Sequence, residues 1–151
     1  MAYSSNRTLI NELFTLVALL ENSGDFIFAP VGLTVKTYAI LHLISTGVDT
    51  SRDLLKGTYG TKPNMTKKLK FLEENNFITR SIDEHDKRIF RFTLTKKSIS
   101  SLEKIAPMYD RAIEDIFSGS SERDILTTLR SIQTWKEQLT KILASPAKTL
   151  K

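Results

Sequence analysis

The sequence predicts a mainly α-helical fold interrupted by one small β-hairpin, and three observations predict it. Apolar residues recur at intervals of three and four over most of the 151-residue chain, the spacing of one helix face. Two short β-branched and aromatic runs, 77–82 and 89–94, occur in succession with six residues between them, five of them charged. Positive charge is local: Ser51–Lys70 holds Arg52, Lys56, Lys62, Lys67, Lys68 and Lys70 against Asp53 alone, and so carries the +5 net charge of the whole chain. The resulting order, α-α-α-α-β-β-α-α, has a winged helix-turn-helix at its centre.

Leu9, Leu13, Leu16 and Leu20, with Ile10, Phe14 and Val17 beside them, predict an amphipathic helix from about Ser4 or Ser5, ended by Gly24. Asp25–Gly32 contains Pro30 and reads as a loop. Thr34 caps a second helix, Val35–Ser45, apolar almost all round and closed by Gly47. Asp49, Thr50 or Ser51 caps a short third helix holding Leu54 and Leu55, and Gly57-Thr58-Tyr59-Gly60 makes the turn. Thr61 caps a fourth helix, with Pro63 in its first turn, where an N–H has no intrahelical partner. Met65, Leu69 and Leu72 form its buried stripe; Pro63, Thr66, Lys67 and Lys70 lie opposite, and Lys68 flanks the apolar side. Asn75-Asn76 tolerates the left-handed end of that helix. After the hairpin, Thr95 caps a long helix with a kink expected at Pro107. Ser118–Ser121 breaks it, a last helix carries Ile125, Leu129, Ile132, Leu139 and Leu143, and Ser145–Lys151 frays.

These elements divide into residues 1–32 (N-terminal dimerisation helix and loop), 33–96 (winged helix-turn-helix DNA-binding domain) and 97–151 (C-terminal dimerisation helices). The outer helices carry more apolar surface than one small domain needs, so a second copy of the chain is the natural cover. A pI near 9.5 favours a polyanionic partner. The absence of cysteine excludes disulfides, Cys-ligated zinc and thiol redox sensing. No signal-peptide pattern and no uninterrupted apolar run of spanning length occurs, so no membrane partner is expected and the location is cytoplasmic. Enzymatic motifs are missing: no Cys nucleophile, no Gly-x-Ser-x-Gly, no His-Glu-x-x-His and no phosphate-binding glycine loop. No catalytic residue, cofactor or metal is expected.

On the fourth helix, Asn64, Thr66, Lys67 and Lys70 are expected to face DNA, with Lys62 and Lys68 on phosphates and Pro63 on the same face. Asn pairs bidentately with adenine and Lys donates to guanine, whereas phosphate contacts only position the protein. The plainer reading is a solvated lysine face. Arg52 either clamps a phosphate or pairs with Asp49. In the hairpin tip, Lys87 and Arg88 approach the minor groove or its phosphates, and His85 donates to a phosphate. Asp83 and Asp86 orient those cations and cap the turn. Asp83, Glu84, His85 and Asp86 have metal-ligand chemistry, but a solvated tip without a second cluster argues against a metal site. Tyr38 and His42 line an effector pocket or serve the core or an interface; Trp135 suits an interface or helix packing.

The recognition segment TKPNMTKKLKFLEENNFI and the hairpin segment DEHDKRIFRFTLTKK, together with the helix order, resemble the MarR family of transcriptional regulators over roughly Leu33 to Lys97. The family's wing pattern is Asp-x-x-Asp-Arg-Arg, an alternating strand, then Leu-Thr-x-Lys. Lys87 stands where Arg is usual, Ser98 where Gly commonly follows, and Phe71 at a position often basic or polar. The resemblance implies a homodimer whose recognition helices enter successive major grooves of double-stranded DNA, with wings toward the flanking minor grooves. It also implies repression relieved by a small, often aromatic, acid as effector. Two other readings fit the residues: a winged-helix DNA-binding protein without effector control (architectural, replication or plasmid maintenance), and a winged-helix protein–protein interaction module.

Overall fold

The computed structural model describes residues 2–58 and 60–144. Tyr59 of the expected turn and the tail expected to fray lie outside the described residues. The order is α1 (Ala2–Phe28), a 3-10 turn (Ala29–Val31), α2 (Val35–Ser45), α3 (Ser51–Thr58), α4 (Lys62–Glu74), β1 (Ile78–Ile82), β2 (Phe90–Leu94), α5 (Lys96–Phe117) and α6 (Glu122–Ala144). This is the mainly helical winged-helix fold that the sequence predicts.

Gly24 does not end α1; the helix runs four residues further. The glycine is buried, and a Cβ on it would lie 2.1 Å from Val35 Cγ2, so its role is close approach to α2. Termination falls instead to Gly32, at φ 75° after the Pro30-containing 3-10 turn. The residues expected as a loop are therefore helix end and 3-10 turn. Asp25 accepts the Val35 N–H at 2.7 Å, satisfying a donor at the start of α2.

The Thr34 and Thr37 hydroxyls each accept the other's backbone N–H, a reciprocal cap for α2. Thr50 and Asp53 cap α3: the Thr50 hydroxyl accepts the Asp53 N–H and donates to its carboxylate. Thr61 occupies the cap position of α4 in extended conformation without a side-chain bond, and Asn76 takes the left-handed conformation at φ 57° beyond its end. Ser121 caps α6, accepting the Asp124 N–H.

β1 and β2 pair antiparallel from Ile78↔Leu94 to Ile82↔Phe90. β2 is also held on its other side: Thr50 forms a bridge with Arg91, and the Phe92 N–H donates to Asp49 O at 2.8 Å. The hairpin is thereby tied to the α2–α3 connection. At its base, Thr95 donates to Asn76 O, Lys97 Nζ to Asn75 O and the buried Ser98 hydroxyl to Phe77 O. Ser98 thus uses its side chain at a position where the resembling family commonly has none.

The chain forms two compact units, Met1–Asp110 and Arg111–Lys151. The first owns one core, built on Phe28, Ile40, Leu41, Leu54, Leu72, Phe77, Ile78 and Ile105. α6, in the second, buries none of its described residues. Large apolar side chains stand exposed on α1 (Leu9, Ile10, Phe14, Leu16, Val17, Leu19, Leu20), on α5 (Ile113, Ile116, Phe117) and on α6 (Leu126, Leu129, Trp135, Leu139, Leu143). By length and composition alone, Ser5–Val31 is apolar enough to cross a membrane. The expectation from uninterrupted runs missed this, because the stretch reaches its mean hydropathy with polar residues interleaved among the apolar ones.

Candidate nucleic-acid interface

α4 is amphipathic as its spacing dictates. Met65, Leu69 and Leu72 are buried, while Lys62, Pro63, Asn64, Thr66, Lys67 and Lys70 are exposed and Lys68 is half-buried. The Thr66 hydroxyl donates to Lys62 O within the helix at 3.0 Å. Lys70 lies 3.6 Å from Glu74, an exposed pair that high-dielectric solvent weakens. Among the described residues, Lys62, Lys67, Lys68 and Arg52 make no ion pair with a carboxylate. Asp49 pairs with Arg91 and not with Arg52. Arg52 and Lys62 instead flank a cleft of about 420 Å³ between α3 and α4. The structure therefore brings Arg52 and the α4 cations onto one unit, and of these only Lys70 makes an ion pair among the described residues.

The hairpin tip has a different organisation from the expected one. Asp83 is buried and points inward, accepting the backbone N–H groups of His85 at 2.8 Å and Asp86 at 2.9 Å together with Arg91 Nε. Asp86 accepts the Arg88 N–H at 3.0 Å and its carbonyl accepts the Ile89 N–H. Both aspartates cap the turn as expected. Neither forms an ion pair with Lys87 or Arg88 among the described residues, so those side chains and His85 stand exposed. With Asp83 turned inward, no cluster of three or more potential metal-ligating side chains forms among the described residues.

Arg91 was not singled out by sequence reasoning. Its Nη1 donates to both Asp49 oxygens at 2.8 and 2.9 Å while Nε serves Asp83, so one guanidinium joins the wing turn to the α2–α3 connection. Arg80 forms a second link: it lies 3.4 Å from Glu73 of α4 and 4.8 Å from the Phe90 ring centroid. The partners of Arg91 are 42 and 8 residues away, and no local spacing rule connects them.

The Asp86 N–H, the Arg91 side chain and the His85 N–H hold the Asp83 carboxyl at a pKa of about 2, below its ordinary 3.8. A lowered folded-state pKa gives stability that is complete above the unfolded value and lost as pH falls through the folded one. Melting profiles should therefore show a loss as pH drops from 3.8 through about 2, and Asp83→Asn should flatten that part of the curve. An identical acid limb in both proteins would remove Asp83 as its source.

Tyr38 stacks on Phe28 at 4.3 Å and meets Tyr109 at 5.3 Å, with the His42 ring 6.1 Å away and nearly parallel. Burial, then the neighbouring Tyr109 and Asp110, raises the Tyr38 pKa, so the phenol stays neutral. His42 is exposed and is therefore not a core histidine. The structure places the two together on an aromatic cluster at the edge of the core. Trp135 is 39% exposed on α6.

Residues 33–90 match the family model described as MarR family. No curated protein matches the sequence. The fold is similar to AbsC, a MarR family transcriptional regulator from Streptomyces coelicolor, at 21% identity and TM-score 0.81 over 91% of this chain and 95% of that one. It is similar to the M. tuberculosis transcriptional regulator MOSR in complex with DNA, at 20% identity and TM-score 0.72 over 93% and 96%. A third similar structure is an organohalide-sensing transcriptional regulator in its ligand-free form, at 16% identity and TM-score 0.82 over 97% and 88%. A form of the same regulator with 2,4-dichlorophenol bound matches at TM-score 0.78 and 15% identity over 88% and 80%. Identities this low establish a shared fold.

Proposed function

With residues 33–90 identified as a MarR-family winged-helix domain, we propose that this chain is a homodimeric transcriptional regulator that binds double-stranded DNA sequence-specifically. The strongest support is the surface that combines Asn64, Lys67 and Lys70 on the outer face of α4 with Arg52, Lys62, Lys68 and a wing tip bearing His85, Lys87 and Arg88. α4 enters the major groove, where Asn64 and Lys67 reach base edges, while Lys62, Lys68 and Arg52 engage phosphates and the wing lies against the flanking groove. Such a face suits affinity more than selectivity, so binding is strongly salt-dependent.

Dimerisation is proposed from the exposed apolar faces of α1, α5 and α6, which a second copy would cover. In this reading α1 covers a partner helix and enters no membrane. Two recognition helices about 34–36 Å apart then meet successive major grooves. The protein works as a repressor in the cytoplasm, beside the DNA it controls. A small aromatic effector on the cluster around Tyr38 and His42 relieves repression. Support for the effector is that cluster's chemistry and the fold's likeness to a regulator with 2,4-dichlorophenol bound.

Selection of bound sequences from a random duplex pool tests the reading, with a pseudo-palindrome of half-sites one helical turn apart as the expected product. Sedimentation at micromolar concentration should give a dimer. No enrichment, or a stable monomer, would each refute the corresponding part.

A further inference from the structure

Phe71 is 40% exposed on α4, although phenylalanine is among the side chains most readily buried. It belongs neither to the core cluster nor to the apolar residues packed against that cluster, and among the described residues it makes no ring pair. Helical spacing explains where it points. The buried stripe is Met65, Leu69 and Leu72, whereas Asn64, Lys67 and Phe71 follow one another at i, i+3 and i+7 and form a second stripe on the outer face. Phe71 lies about 6 Å further along the helix axis than Lys67, close to two base-pair steps.

The outer face that holds this stripe carries Lys62, Lys67 and Lys70 and so suits a polyanion, and an aromatic ring within it gains nothing from a phosphate. In the major groove the apolar feature available to it is the 5-methyl group of thymine, which side chains including Phe contact. We propose that Phe71 is a specificity-determining residue that reads a thymine methyl in each half-site. This inference rests on the DNA-binding reading above and extends it by one base.

The test uses the full chain. Duplexes selected from a random pool by the unaltered protein should show a fixed thymine in each half-site. Phe71→Ala should lose the preference at that position alone. Each enriched thymine is then replaced by deoxyuridine, which removes only the methyl. The unaltered protein should lose about fourfold in affinity per half-site, the worth of one buried methyl-sized group, and Phe71→Ala should not distinguish the two duplexes. Equal losses in both proteins, or no thymine sensitive to demethylation in the unaltered one, would overturn the proposal; the second result does not depend on the variant's folding. Selection of no duplex at all would overturn the DNA-binding reading itself, whereas a selected site indifferent to the methyl removes only the role of Phe71.

Discussion

Replacing Lys67 and Lys70 together by alanine is expected to flatten the dependence of DNA affinity on salt. Both side chains stand on the outer face of α4, and among the described residues the one ion pair either makes is that of Lys70 with Glu74, at 3.6 Å. Each lysine that neutralises a phosphate releases condensed counterions, contributing about 0.9 to the slope of log K against log salt. Two lysines in each of two protomers would remove about 3 to 4 from that slope, so affinity near 0.1 M salt should fall by something on the order of 10³-fold. If instead both lysines contact only base edges, the loss is nearly uniform across salt and confined to the selected sequence. An unchanged affinity and an unchanged slope together would remove α4 from the interface. Stability offers the control: exposed lysines contribute little to folding, so melting temperatures should barely move.

The parts of this surface that follow helical periodicity were legible in the sequence. Met65, Leu69 and Leu72 at i, i+4 and i+7 fix which side of α4 is buried, and the outward direction of Lys67 and Lys70 follows. The caps at Thr34 and Thr95, and Thr50 as one of three candidates, are local too, because a hydroxyl reaches a backbone group only a few residues away. Glycine was ambiguous. Gly24 reads as the helix end from the sequence, and only the approach of Val35 shows that it serves packing while Gly32 closes the turn that follows. What the sequence could not disclose were the side-chain pairings set by tertiary register. Arg91 faces Asp49 because β2 runs beside residues 49 and 50, a neighbour relation that no period of two or 3.6 encodes. For the same reason Asp83 was assigned to the adjacent cations of the tip, while the folded chain turns it inward.

That register matters for how the two parts proposed to contact DNA act together. α4 is held by the core, through three buried side chains of its own. The wing tip has no such anchor, since beyond Asp83 the tip residues Glu84 to Arg88 are all exposed. Its position relative to α4 depends on the strand pairing, the Phe92–Asp49 backbone bond and the two arginines that reach across, Arg91 to Asp49 and Arg80 to Glu73. A fold built this way anchors α4, the element proposed to read bases, in the core and sets the flanking cations with a few charge-assisted bonds.

Arg91→Ala is therefore expected to behave as a DNA-binding variant although Arg91 is turned toward Asp49 and Asp83. Without the guanidinium, the buried Asp83 loses its charged partner and holds its two turn N–H donors less firmly, and Asp49 loses both of its bonds to Nη1. The tip should then sample positions in which Lys87 and Arg88 no longer meet the duplex. In salt titrations, Arg91→Ala should lose up to about 3 to 4 in slope, the loss expected when two cations in each of two protomers leave the phosphates. Lys87→Ala/Arg88→Ala should lose the same amount, and adding Arg91→Ala to that pair should change little further, because the three residues act through one contact. Amide exchange gives an independent reading: protection at the His85 and Asp86 N–H groups, which Asp83 accepts, should fall in Arg91→Ala and persist in Lys87→Ala/Arg88→Ala. Additive losses in the combined variant, or unaltered protection at the tip, would show that Arg91 does not set the position of the wing.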